Sequence, residues 1–190
     1  MSDDMLVPQE SMEVQMDMRA LVADMLDPRG VYTMECVAED GSVRWSEEIK
    51  NLVTDAGARD ILDKYLSGSA YTPSLAIGIT SGGTPANANT MASHAGWQEV
   101  GGANQPVYTG NRKVPAFSAA SGRTKAMSAV AAFAITSTGP NTVGGLFLVN
   151  GGSTAKDDTT GVLVSVGLLS PGSRIVYSGD TINVTYSLSV

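Results

Sequence analysis

Short runs of apolar and β-branched residues, separated by Gly, Pro, Asn and Ser, dominate the chain from Leu75 to its end. Runs of this kind predict strands joined by tight turns. Their number and spacing favour an antiparallel β-sandwich, so the expected fold class is mainly β. We predict strands at residues 75–80, 97–100, 113–119, 126–136, 144–149, 162–168, 174–177 and 181–188.

Two further strands are predicted at residues 31–38 and 43–49. An Asp-Gly pair lies between them, which is typical of the turn of a β-hairpin. Val43 and Trp45 alternate with polar residues in the second strand. Because alternate residues of a strand share one face, we expect both side chains to be buried.

One short internal helix is predicted at residues 55–66. Thr54 is a suitable N-cap, and Gly68 follows the end of the helix. The apolar side chains of this segment lie at helical spacing, so we expect them to face the core. They are Ala58, Ile61, Leu62, Tyr65 and Leu66.

Residues 1–30 are expected to form an N-terminal helical or extended arm outside the β-sandwich domain of residues 31–190. Ser11 is a suitable N-cap for a helix that ends before Pro28. Apolar side chains fall on one face of this helix, and we predict that they bind a partner, because Met-rich faces pack well on irregular surfaces. Packing on the chain's own domain is the alternative. The predicted partner-binding residues are Val14, Met18, Leu21, Val22 and Met25.

Acidic residues are concentrated in the first third of the chain. Residues 1–60 hold 14 acidic and 5 basic side chains, whereas residues 61–190 hold 5 acidic and 7 basic side chains. This asymmetry indicates either an N-terminal part that faces a basic or polar partner, or a solvated acidic face. With a net charge of −7, nucleic acid is not an expected partner, since nucleic-acid modules normally carry a basic patch.

The sequence also predicts no membrane segment. No stretch reaches the roughly 18 apolar residues of a membrane helix, and the N-terminus lacks the basic and apolar regions of a signal peptide. Cys36 is the one cysteine, so no intrachain disulfide can form. Synthesis in the cytoplasm is the natural expectation.

The residues needed for catalysis or metal binding do not occur in a recognisable pattern. His94 is the one histidine, and a catalytic triad needs a base placed between a nucleophile and an acid; we expect His94 to anchor its neighbour Trp97 instead. Cys36 and His94 are too few for a zinc site. Asp157 and Asp158 lack the spacing of a calcium loop and are expected at a solvated loop tip. We therefore predict no catalytic residue, cofactor or metal.

Residues 81–96 form the longest predicted loop. Loops of this length in a compact domain are often functional or become ordered on assembly. The loop is therefore a second candidate for partner contact, beside the arm.

Several segments resemble a group of small virion structural proteins of tailed bacteriophages. Together they cover roughly residues 31–190 and leave the arm as the variable part. No catalytic residues come with the resemblance. The segments are Glu35-Cys36, Asp40-Gly41, Trp45, Asn51-Leu-Val53, Gly57 with Ile61-Leu-Asp-Lys-Tyr65, Thr90-Met-Ala-Ser-His-Ala-Gly-Trp97 and Ser178-Gly-Asp-Thr-Ile-Asn-Val-Thr-Tyr186.

The resemblance implies synthesis in the bacterial host cytoplasm and localisation in the virion. Its expected partners are the major capsid protein or other virion proteins, and a homo-oligomer, with a trimer favoured. The function that we expect is a non-enzymatic capsid decoration or cement protein that stabilises the shell through its arm and loops. The alternatives are a tail, collar or fibre-associated structural protein and, from another class, a host-glycan-binding module with clustered exposed aromatic residues.

Overall fold

The chain, seen in a computed structural model, is described over residues 29–66 and 72–189. The described residues form eleven strands and one helix, α1, which spans Asp55–Leu66. The strands are β1 (Arg29–Val37), β2 (Val43–Val53), β3 (Leu75–Gly83), β4 (Trp97–Val100), β5 (Thr124–Ala126), β6 (Ala131–Ala134), β7 (Asn141–Val143), β8 (Gly145–Asn150), β9 (Val162–Leu168), β10 (Arg174–Val176) and β11 (Thr181–Ser189).

Nine of these strands lie in one antiparallel sheet. Their order is β4-β3-β8-β9-β2-β1-β11-β5, with β6 also beside β11, while β7 and β10 form a separate two-stranded ribbon. β2 joins two halves of the sheet, because its first part pairs with β1 and its last residues, 51–53, pair with β9. The mainly β, antiparallel fold class is confirmed, and the division into a two-layer sandwich stays a prediction.

A short connecting segment, residues 107–113, links the two ends of this arrangement. Lys113 bridges to Ile77 of β3, and Tyr108 bridges to Ile135 at the end of β6. A circuit of backbone contacts therefore runs from β3 through this segment to β6, and back through β11, β1, β2, β9 and β8. The enclosed space holds the main core.

Side chains from one face of β1 and one face of β11 fill much of that core. Three inward side chains on each strand are buried, as is Gly30 of β1, and the residues between them are partly or fully exposed, as expected for one buried face. Side chains of β6, which lies beside β11, join this cluster, and side chains of β3 and β8 enter it from the other half of the sheet. The buried side chains of the two alternating strands are Tyr32, Met34, Cys36, Ile182, Val184 and Tyr186.

A second, smaller cluster lies on the opposite face of β3, β8 and β9. Phe147 of β8 is fully buried there and packs against Trp97, whose ring centroid is 5.4 Å away. Met91, from the loop after β3, is also buried in this cluster. Because both of its faces are covered, β8 is buried along its whole length.

Helix α1 rests on β9 through its first turn. The backbone N–H of Gly57 donates to Thr54 Oγ1 (3.0 Å), so the predicted N-cap is confirmed. The Thr54 hydroxyl also donates to the carbonyl of Leu163 on β9. A Cβ on Gly57 would lie 2.7 Å from Val164 Cα; the helix therefore approaches the sheet where it has no side chain.

Part of the face of α1 that was predicted to be buried is exposed. Ile61 is 38% exposed and Leu62 is 57% exposed, so the prediction that these two side chains face the core is wrong. Ala58 is half-buried. The side chains of Tyr65 and Leu66 lie outside the described residues.

Three other expectations need correction. The predicted strand at 113–119 is absent from the described structure, because Pro115 cannot donate a ladder hydrogen bond, and only isolated bridges form there. The predicted strand at 126–136 is divided into β5 and β6, since Ser128 N–H donates to Ala116 O (2.8 Å) instead of to β11. Val43 is 55% exposed, whereas Trp45 is partly buried against the core.

Candidate functional site

An apolar groove with a volume of about 590 Å³ lies beside helix α1. We call it the α1 groove. Its walls come from the ends of β3, β8, β9 and β11 and from Phe117. Several wall residues also belong to the main core cluster, so the groove is an open end of the core. The aliphatic wall residues used below are Leu75, Leu148, Val164 and Leu188.

The rim of the α1 groove is charged. Asp60 and Lys64 of α1 line it, and so does Lys125 of β5. The Asn150 amide donates to Asp60 Oδ2 (2.6 Å), which fixes the helix to the end of β8. Lys125 Nζ donates to Ser118 O (3.1 Å). The groove thus combines apolar walls with two lysine side chains from different elements.

Tyr186 supplies the polar group of the groove wall. Its hydroxyl accepts a hydrogen bond from Asn51 Nδ2 (3.2 Å). Burial raises the pKa of Tyr186 to about 12. The phenol therefore stays neutral at physiological pH, and the wall favours apolar groups over charged ones.

The chain enters the described domain at the edge of this groove. Arg29 is paired with Ser189, and Gly30 is paired with Leu188 of the groove wall. A Cβ on Gly30 would clash with the hydroxyl oxygen of Tyr186, a residue of the wall, so the backbone passes directly against the wall. Residues 1–28 are therefore attached beside the groove.

A second surface feature is a set of exposed apolar side chains at the start of β2, on β10 and directly after β10. We call it the outer patch and define it as Val43 (55% exposed), Ile175 (50%) and Tyr177 (41%). Trp45 Nε1 donates to Ile175 O (3.2 Å), which holds β10 against β2. The Arg44 guanidinium lies 4.8 Å from the centre of the Tyr177 ring.

The outer patch is bordered by ion pairs. Arg44 Nε lies 3.0 Å from Asp180 Oδ1, and Arg174 Nη2 lies 2.5 Å from Glu47 Oε1. Both pairs join the hairpin strand β2 to the C-terminal part of the chain. The patch is therefore a fixed apolar surface with a polar border, which is the usual composition of a protein contact site.

A third cluster is fully internal. Glu99 and Arg112, which are 5% and 3% exposed, form a two-point ion pair with N–O distances of 2.9 and 2.6 Å. Arg112 Nη2 also donates to Asp158 O (2.7 Å), and Asp157 N–H donates to Glu99 Oε2 (3.0 Å). Because every contact is made within the chain, the cluster anchors the 151–160 loop to the sheet. The sequence did not predict it.

His94 has the anchoring role predicted for it. Its ring stacks on Trp97 with centroids 4.0 Å apart, and its Nδ1 lies 3.0 Å from Trp97 O. Trp97 Nε1 donates to Asn89 Oδ1 (3.1 Å), so the loop before β4 is tied to the second core cluster. Since Ser81–Gly83 belong to β3, the predicted 81–96 loop is shorter than expected.

Nearly all of the predicted arm lies outside the described residues. The same is true of all five predicted partner-binding residues, which are Val14, Met18, Leu21, Val22 and Met25. Within residues 29–66 and 72–189, no three His, Cys, Asp or Glu side chains are grouped so that they could hold a metal ion. The same part of the chain has no helix long and apolar enough to cross a membrane.

Comparisons with family models, with curated proteins and with solved structures found no match to this chain.

Proposed function

We propose that this protein is a non-enzymatic structural component of a tailed-bacteriophage virion, a capsid decoration or cement protein that binds the major capsid protein. The observation that carries the proposal is the outer patch, in which three large apolar side chains are exposed near two ion pairs. A fixed apolar surface of this kind is typical of a protein interface. The tailed-bacteriophage virion is proposed as the particle because several segments resemble virion structural proteins.

In this proposal the contact is repeated over the shell lattice. Each copy contributes a modest interface, and many copies linked through one lattice sum to a large stabilisation. Homo-oligomers, for which we expect trimers, would add further contacts between copies. The arm extends the reach of each copy to neighbouring subunits.

The proposed domain architecture is an antiparallel β-sandwich. One layer would be built around β1, β2 and β11, and the other around β3, β8 and β9. The exchange of β2 from β1 to β9 and the core shared by both halves support this arrangement. It presents the outer patch at the layer that contains β1 and β2.

The two alternative functions would require different properties of the outer patch or a different copy number of the protein. A tail, collar or fibre-associated protein would use the same patch at a much lower copy number. A host-glycan-binding module needs exposed aromatic rings on which a sugar can stack. Tyr177 is the one aromatic side chain among the described residues with large exposure, and Arg44 lies over its ring, which favours a protein partner.

The outer patch has a matched control within the chain. Val43 and Val130 are both 55% exposed, but Val130 adjoins β6, which is separated from β2 by β11 and β1. Particles assembled with Val43→Asp in the full chain should carry far less of the protein than wild-type particles. Val130→Asp should leave its occupancy unchanged, as measured by quantitative mass spectrometry of purified particles. Equal occupancy for both variants would refute the outer patch as the contact surface.

A further inference from the structure

We propose that residues 11–26 pack their apolar face into the α1 groove of the same chain before assembly. This goes beyond the assembly role, because it concerns the free protein. The groove lies at the edge of the hydrophobic core, and its partly exposed apolar wall residues include Leu75, Phe117 and Leu188. Apolar walls exposed to water favour a covering segment that brings its own apolar surface.

Residues 11–26 are the expected occupant because the chain joins them to the domain at the edge of the groove. The described domain begins at Arg29, which is paired with Ser189, beside Leu188 of the groove wall. A segment attached at this point is present at a high effective concentration, whereas a free ligand is not. Residues 11–26 would span about 24 Å as a helix, which is long enough to lie along a groove that starts at its own attachment point.

The segment and the groove are chemically complementary. The groove has an apolar floor, and the segment has an apolar stripe at helical spacing. Residues 1–28 contain seven acidic side chains and one basic side chain, while two lysines, Lys64 and Lys125, line the groove. Asp60 on the same rim is hydrogen-bonded to the Asn150 amide, which limits its repulsion of an acidic segment.

Docking can be detected by paramagnetic relaxation in the full chain. A nitroxide is attached to Met16→Cys, which lies opposite Met18 on a helix; Cys36 is fully buried and is not labelled. If the segment occupies the groove, the methyl signals of Leu148 and Leu188 should be strongly broadened. Those of Ile175, in the outer patch, should change much less.

A second, mixed sample shows whether the docked segment belongs to the same chain or to a second copy. When a spin-labelled copy without isotopes is mixed with an isotope-labelled copy without a nitroxide, broadening should disappear. Broadening of the groove methyls in this mixed sample would overturn the proposal, since it would place a neighbour's segment in the groove. No broadening in either sample would overturn it too.

A matched pair of substitutions tests which face is docked. Met18→Asp places a carboxylate on the apolar stripe and should reduce the ratio of docked to undocked protein by at least about tenfold. Met16→Asp places the same group on the opposite face and should leave that ratio unchanged. Groove methyl shifts in the unlabelled variants report the ratio, and an equal response of both variants would contradict the proposal. None of these measurements involves particles, so their failure would leave the assembly role untouched.

Discussion

Arg112→Met should be among the most destabilising single substitutions on the described domain. It removes both hydrogen bonds of the ion pair and leaves the Glu99 carboxylate, which is 5% exposed, without its cation. Breaking a buried pair by removing one partner costs about 3–5 kcal/mol. Since small domains are stable by only about 5–15 kcal/mol, this loss should be plain in urea unfolding analysed by linear extrapolation.

Arg174→Met is the matched control. It breaks the pair with Glu47, in which the two side chains are 23% and 28% exposed. Water can solvate the Glu47 carboxylate that remains, so the expected cost of losing this pair is only about 0–1 kcal/mol. The difference between the two Arg→Met variants therefore measures the effect of burial on the same chemical change.

A double variant, Glu99→Leu with Arg112→Met, completes the test. Removing both charges eliminates the unpaired carboxylate, so much of the stability lost in Arg112→Met should return. The reasoning is refuted if Arg112→Met is no more destabilising than Arg174→Met. It is also refuted if the double variant is less stable than Arg112→Met, because the loss would then come from packing and from the loop carbonyls that Arg112 binds.

Three further predictions concern single residues. Burial raises the pKa of Cys36 from 9.0 to about 12. The unfolded thiol therefore loses its proton first, so the free energy of unfolding should fall between these pH values by up to ~1.4 kcal/mol per pH unit; Cys36→Ala should remove this part of the slope in urea titrations. Gly57→Ala should lower the melting temperature, although alanine favours helices by about 1 kcal/mol, because its Cβ would meet Val164; a higher melting temperature would contradict the close approach of α1. Asn89→Ala leaves the buried Trp97 Nε1 without its acceptor, which costs about 1–3 kcal/mol, and limited proteolysis should then cut the preceding loop faster than in wild type.

Local sequence patterns predicted the strands well where one face is buried. β11 alternates along its whole length, and the Asp-Gly turn between β1 and β2 forms as expected, with Ala38 O accepting from Gly41 N–H (2.9 Å). Alternation cannot show where a sheet ends, however. Val43 has the correct period for burial, but it lies at the start of β2 beyond the core, and it is exposed.

Features that depend on long-range contacts were not predictable. Glu99 and Arg112 meet because the 107–113 segment bridges β3 and β6, and no local pattern marks that bridge. The α1 groove depends on Gly57 bringing the helix onto β9, which turns Ile61 towards the groove instead of the core. The helical spacing of apolar residues predicted α1, but it did not show which face of the helix would pack on the sheet.

The most direct test of the central claim is the number of copies of this chain in purified phage particles, counted against the major shell protein by quantitative mass spectrometry. We expect a copy number of the same order as that of the shell protein, as for a protein that decorates the capsid lattice. A much lower but definite number would place the protein at the tail, collar or fibres. A copy number near zero would contradict the virion role itself.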